Sequence, residues 1–211
     1  MASLTSMHPA IRVNIPEVAS LTLNRLFLEV ARDFCKRTRA WKQDLAAFDS
    51  VATKATYALT LPVDTQLVDV LSVQYNAKAL GKKTKPQLQR ADNQWRTRAG
   101  TPIDFTREGI SSITLYRVPA SIVVGGIQAY VALRPALTAT AVDDELYDEY
   151  SDVFNDGVLA RLYAMPRKPW SSQALAGYHH RMYEDACDNA TSASTDERMT
   201  GVIRRTAYGG Y

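Results

Sequence analysis

Between Glu17 and Arg39 the apolar residues Leu23, Leu26, Phe27, Val30, Ala31 and Phe34 recur at the i, i+3, i+4, i+7 spacing of one helical face. That spacing predicts the first helix. Pro16 suits a first helical turn, Glu17 the positive end of the helix dipole, and Lys36, Arg37 and Arg39 gather at the other end, where cations are favoured. A second row, Leu21, Leu28 and Cys35, lies off the main stripe, so the helix is expected to need partners on more than one side.

After Trp41 the period changes to two. Tyr57, Leu59 and Leu61 alternate with Ala58 and Thr60, Leu67 to Tyr75 is rich in Val and Leu, and Ile113 to Val118 and Ile127 to Leu133 alternate again. These runs predict strands. Gly125-Gly126 reads as a hairpin turn, and the short connections favour antiparallel pairing. The segment from Lys78 to Arg98 reads as a basic loop, with Lys78, Lys82, Lys83, Lys85, Arg90, Arg96 and Arg98 against the single acid Asp92.

Helical spacing returns at Asp143, where Leu146, Tyr150, Val153 and Ala160 line one face and Tyr147, Phe154 and Val158 extend it until Pro166. The first half of this helix carries Asp143, Asp144, Glu145, Asp148, Glu149, Asp152 and Asp156 with no basic residue, more acid than a first turn requires. After a Pro-rich elbow, Ser171 or Ser172 can cap a third helix, whose expected buried stripe is Leu175, Tyr178, Met182, Ala186 and Ala190. The end, Gly201 to Tyr211, is too short to make a core. The expected fold is therefore α+β: a helical bundle layer of three main helices (15–42 and 143–195), an inserted small antiparallel β unit (49–135) and an extended C-terminal arm (196–211).

Composition narrows the class without naming a function. At 211 residues with near-average hydrophobic and charged fractions, the chain is long enough for one good core or two small ones. Cys35 and Cys187 are too few for a disulfide framework and stand in no zinc-type spacing, which predicts two buried thiols. No basic, apolar leader opens the chain, and Val118 to Leu133 is too interrupted to cross a bilayer, so a soluble protein without a membrane partner is expected. A net charge of +3 is too small to argue for nucleic acid from totals.

The sequence holds no phosphate-loop, dinucleotide, serine-hydrolase or zinc-protease motif. His8 stands alone, and the adjacent His179-His180 point to different faces, so neither an enzyme nor a cofactor is predicted. The acids from Asp143 to Asp156 could bind a hard cation, but acids spread along one helix fit an exposed or protein-facing surface better. The basic segment could follow a phosphate backbone with Trp95 stacking on bases, which makes a nucleic-acid-binding module the alternative function. Acidic and basic surfaces on one subunit also suit a head-to-tail contact between copies, which closes into a ring when the rotation allows.

Several short stretches resemble the head-to-tail adaptor (connector or neck) proteins of tailed bacteriophages. They are Asp33-Phe34-Cys35 followed by Trp41, Tyr57-Ala58-Leu59-Thr60-Leu61-Pro62, Gly100-Thr101-Pro102 with Phe105, and Ile113-Thr114-Leu115-Tyr116-Arg117-Val118-Pro119. Gly157 to Pro166, leading to Pro169-Trp170-Ser171, belongs with them, and the likeness spans about residues 15 to 190. The resemblance implies a structural virion protein of the neck, assembled in the host cytoplasm. It implies a ring, usually of twelve subunits, beneath the portal of the DNA-filled capsid, contacting portal and tail proteins and surrounding the DNA channel. It conveys no catalytic residue and no cofactor. On that reading Asp148, Glu149, Asp152, Lys82, Lys83 and Lys85 would serve subunit contacts or the channel wall, and Arg204, Arg205, Tyr208 and Tyr211 would dock on the portal.

Overall fold

The computed structural model describes residues 1–200, with side chains to residue 194. In chain order the elements begin with β1 (Ala2–Ser3), a 3-10 turn (Leu4–Met7), α1 (His8–Arg12) and α2 (Ser20–Thr38). The strands β2 (Lys42–Asp44), β3 (Phe48–Ser50), β4 (Thr56–Ala58), β5 (Thr65–Tyr75), β6 (Lys78–Ala79) and β7 (Gly81–Lys82) follow, and then α3 (Lys85–Ala91). Next come β8 (Asp104–Glu108), β9 (Ser112–Tyr116), β10 (Val123–Pro135), β11 (Ala141–Val142), α4 (Asp144–Tyr163) and α5 (Gln173–Thr200). The chain forms two compact units, one of Met1–Ala40 with the chain from Thr140 on, the other of Trp41–Ala139.

In the first unit α2, α4 and α5 pack on one another, with β1 paired to β11 beside them. Leu23, Phe27, Val30 and Phe34 of α2, Phe154, Val158 and Leu162 of α4, and Tyr183 and Cys187 of α5 are buried together, as the 3.6-residue period requires. Phe34 meets Phe154 edge to face at 5.5 Å and Tyr150 at 4.8 Å. Tyr150 leaves helical geometry (φ −119°, ψ 19°), which puts a kink in α4. Arg39 ends α2 in a left-handed conformation with its N–H on the Cys35 carbonyl. Asp143 caps α4 by accepting from the Glu145 and Leu146 N–H groups, and Ser172 Oγ accepts from Leu175 N–H at the start of α5.

The second unit is built on two long strands. β5 and β10 pair antiparallel from Ile127↔Tyr75 to Pro135↔Thr65, and β10 carries β2 and β3 on its other side. A second sheet runs β4-β9-β8-β7. Alternating inward residues, among them Val70, Val73, Ile127, Val131, Leu133, Ile113 and Leu115, are fully buried.

Three expectations are corrected here. A three-helix layer with a small antiparallel β unit does not describe this chain: among the described residues there are five α-helices and eleven strands in three sheets, so the fold is rich in β structure. The excess comes from short strands without readable alternation: β2 and β3 are held to the long strand β10 and β6 to β5, while β1 and β11 pair with each other; one pair, β7 with β8, is parallel. Gly125-Gly126 is not a hairpin turn. It lies inside β10 at a register shift against β3, where Gly125 takes φ +60° and a Cβ on Gly126 would stand 2.8 Å from the Val123 side chain. The segment from Lys78 to Arg98 is not a simple loop, since it forms β6, β7 and α3 and buries Leu80, Leu88 and Trp95.

Candidate functional site

On α4, Glu145, Asp148, Glu149 and Asp152 are all exposed; the first three share one side of the helix at i, i+3 and i+4, and Asp152 follows just past the kink at Tyr150. The acids are thus less scattered than the sequence suggested. The other three have local work: Asp143 caps the helix, Asp144 pairs with the Met1 amine, and Asp156 Oδ1 lies 2.8 Å from His179 Nδ1. Among the described residues no ion pair engages the four exposed acids, and no group of three potential metal ligands occurs. Like charges at i, i+4 destabilise a helix slightly, so a stripe of four does not help the isolated helix.

The basic segment belongs to the second unit, and folding neutralises much of it. Lys82 Nζ lies 2.8 Å from Asp69 and donates to the Val70 carbonyl, Lys85 Nζ lies 2.6 Å from Glu108, and Arg98 lies 2.8 Å from Asp92. Lys85 holds the Glu108 carboxyl below the usual range by hydrogen bonding. The Gln94 N–H, then Arg98, does the same for Asp92. Lys83 is exposed and forms none of these pairs. Trp95 is 1% exposed, packed with Leu88 and Tyr116, and donates from Nε1 to Gln89 at 3.0 Å. Its faces are closed to base stacking, and Asp69 and Glu108 are the partners that a linear reading could not find.

A third surface was misassigned by the sequence. The expected buried stripe of α5 is largely exposed: Leu175 is 43%, Tyr178 51% and Met182 44% accessible. Ala190 is buried as expected, while the rest of the buried face is offset by one position, through Ala176, Tyr183 and Cys187. It opposes the small residues Gly157, Ala160 and Ala164 of α4 across a cavity of about 370 Å³ that Asp33, Arg161, His180 and Glu184 also line. There Tyr183 Oη donates to Asp33 at 3.0 Å, Arg37 clamps Glu184 with both Nη atoms (2.8 and 2.5 Å), and burial pushes the Tyr183 hydroxyl upward in pKa. The network ties α2 to α5. Both cysteines are buried thiols outside any disulfide, as predicted. His8 is buried on Asn24, and His179 is held by Asp156 and stacked on Tyr163, so both are structural.

Exposed charged and apolar surfaces are the kind that contacts between subunits use. Over residues 4–206 the chain matches the family described as SU10 adaptor protein, and it belongs to that family of phage head-to-tail adaptors. It is accordingly a structural component of the virion that associates with other phage structural proteins. No curated protein matches it. No helix among the described residues is long and apolar enough to cross a membrane. Arg204, Arg205, Tyr208 and Tyr211 lie outside the described residues.

Proposed function

We propose that the chain forms a closed ring beneath the portal, linking the DNA-filled capsid to the tail and surrounding the DNA channel. The observation that carries this is the four-acid stripe of α4, exposed and without an ion pair among the described residues, on a member of the adaptor family. Unpaired charges of one sign on a protein that works in an assembly are complementarity waiting for a neighbour. Lys83, with Lys82 and Lys85 on the same segment, offers the opposite sign to a neighbour or to the channel, and Arg204, Arg205, Tyr208 and Tyr211 supply anchor types for the portal. A nucleic-acid-binding module is less well supported, because Lys82, Lys85 and Arg98 already hold carboxylates. Adding the purified chain to portal-bearing, tail-less capsids and imaging the neck by cryo-EM tests the reading. A ring of density coaxial with the portal is the expected result, and isolated or absent copies would refute it.

A further inference from the structure

We propose that the outer face of α5, centred on Leu175, Tyr178 and Met182, is the surface that receives the acidic α4 face of a second copy. This rests on the ring reading above and names its contact. The three side chains stand at i, i+3 and i+7, so they form one apolar strip, and α5 already buries its other face inside its own unit. Tyr178 is held ready: its ring meets His179 edge to face at 5.2 Å, while His179 is fixed by Asp156 and stacked on Tyr163 at 5.6 Å. A half-exposed tyrosine whose ring is already placed loses little freedom on binding, which suits it to anchor a contact.

Charge selects the occupant. Arg181 stands one turn from Tyr178 on the same side, and Arg167 and Lys168 stand on the elbow just before α5; all three are exposed. Arg181 Nε reaches only the Gly177 carbonyl, and Lys168 lies over the Trp170 ring at 5.8 Å. None of the three has a carboxylate partner among the described residues. The α4 face offers the complement in Glu145, Asp148, Glu149 and Asp152. Because α2, α4 and α5 pack on one another, the outer faces of α4 and α5 point in different directions, and one chain cannot satisfy both itself. Different patches meeting between copies make a heterologous contact, the kind that repeats around a ring. Asp185 and Asp188, exposed further along α5, set the register, since they repel the acids and leave the N-terminal half as the landing site.

The test uses the full chain on portal-bearing capsids, with half of the adaptor labelled with heavy nitrogen and carbodiimide as a zero-length coupler of lysine to carboxylate. Mixed-isotope links joining Lys168 to Asp148, Glu149 or Asp152 are expected. Reversing the α5 side (Lys168→Glu with Arg181→Glu) should lower neck occupancy roughly tenfold or more, the scale of a lost hot spot. Adding Glu149→Lys and Asp152→Lys to that same chain should restore it. Thermal melts identify any variant that fails to fold, and Arg181→Glu alone then serves in its place. Mixed-isotope links elsewhere but none at Lys168, or reversal without restoration, would overturn this contact and leave the ring standing. Attachment with no adaptor-to-adaptor link of any kind would overturn the ring as well.

Discussion

Gly157 on α4 lies against Val30 on α2: a Cβ built at Gly157 would stand 2.7 Å from Val30 Cγ1, and 2.9 Å from the Tyr183 ring of α5. Three helices of the first unit, α2, α4 and α5, converge on this missing side chain. Two effects of opposite sign act on Gly157→Ala. Alanine gains about 1 kcal/mol over glycine in a helix interior, whereas forcing a methyl group into a packed core costs about 1–3 kcal/mol. With Cβ contacts below 3.0 Å on two neighbours, overpacking should win. Chemical denaturation should show Gly157→Ala less stable than the natural chain, and a stabilised variant would mean that the helices are further apart.

The helices were legible because their apolar period is strong, and α2, α4 and α5 lie where the spacing put them. What could not be read was which of two apolar rows on α5 is buried. Leu175 and Met182 are larger and more apolar than Ala176, and each row carries a tyrosine, so a hydrophobicity pattern favours the wrong row. Close approach of α4 at Gly157 reverses the choice, because small residues let the backbones come near. The basic segment failed in another way. Its neutralising acids, Asp69 and Glu108, lie on strands before and after it, and only the sheet brings them to Lys82 and Lys85. The Gly125-Gly126 bulge is not legible because glycine pairs serve turns and bulges alike, and pairing with β3 on both sides of the glycines, Val123↔Ser50 and Ile127↔Phe48, decides between them.

Trp95 offers a clean separation of packing from binding. Its ring is buried with Leu88 and Tyr116 and crossed by the Arg96 guanidinium at 4.6 Å. Trp95→Ala should cost about 3–5 kcal/mol of stability, the range for a buried tryptophan. Urea unfolding followed by circular dichroism measures it. Near-zero loss of stability would show the ring free and return it to the pool of candidate stacking residues.

Acid should loosen both units through salt-linked carboxylates. The hydrogen bond from Arg37 holds the Glu184 carboxyl low, and that from Lys85 does the same for Glu108. A carboxyl whose folded pKa lies below its unfolded value stabilises the fold at pH above the unfolded value, about 4.3 for glutamate. That contribution is lost as pH falls through the lowered folded value. Melting temperature should therefore be flat near neutrality and decline below about pH 5, modestly, because both pairs are partly exposed and screened. Glu184→Gln should remove part of the slope; an unchanged profile would show that the Arg37 clamp contributes nothing measurable.

Neutralising the acidic stripe should separate stability from assembly. In Asp148→Asn, Glu149→Gln and Asp152→Asn combined, relief of like-charge repulsion at i, i+4 is worth a few tenths of a kcal/mol, so melting should stay level or rise slightly. Occupancy of portal-bearing capsids should fall, because the same charges are proposed to face a neighbour. A variant that melts higher and still fills the neck would take these acids out of the interface.

The last segment, residues 201–211, carries Arg204, Arg205, Tyr208 and Tyr211 among three glycines. Its length cannot bury two tyrosines by itself, while arginine and tyrosine are the residue types that dominate binding hot spots. Arginine can make paired hydrogen bonds to a carboxylate, and tyrosine can bury its ring with the hydroxyl still bonded, so a portal surface with acids and apolar pockets would hold all four. If they act as portal anchors, deleting residues 201–211 should leave the melting temperature almost unchanged and abolish attachment to portal-bearing capsids. Substituting only Arg204 and Arg205 by Ala should give an intermediate loss, because the tyrosines remain. Full occupancy by the truncated chain would place the docking surface on the described units instead, with the helical unit the first to be searched.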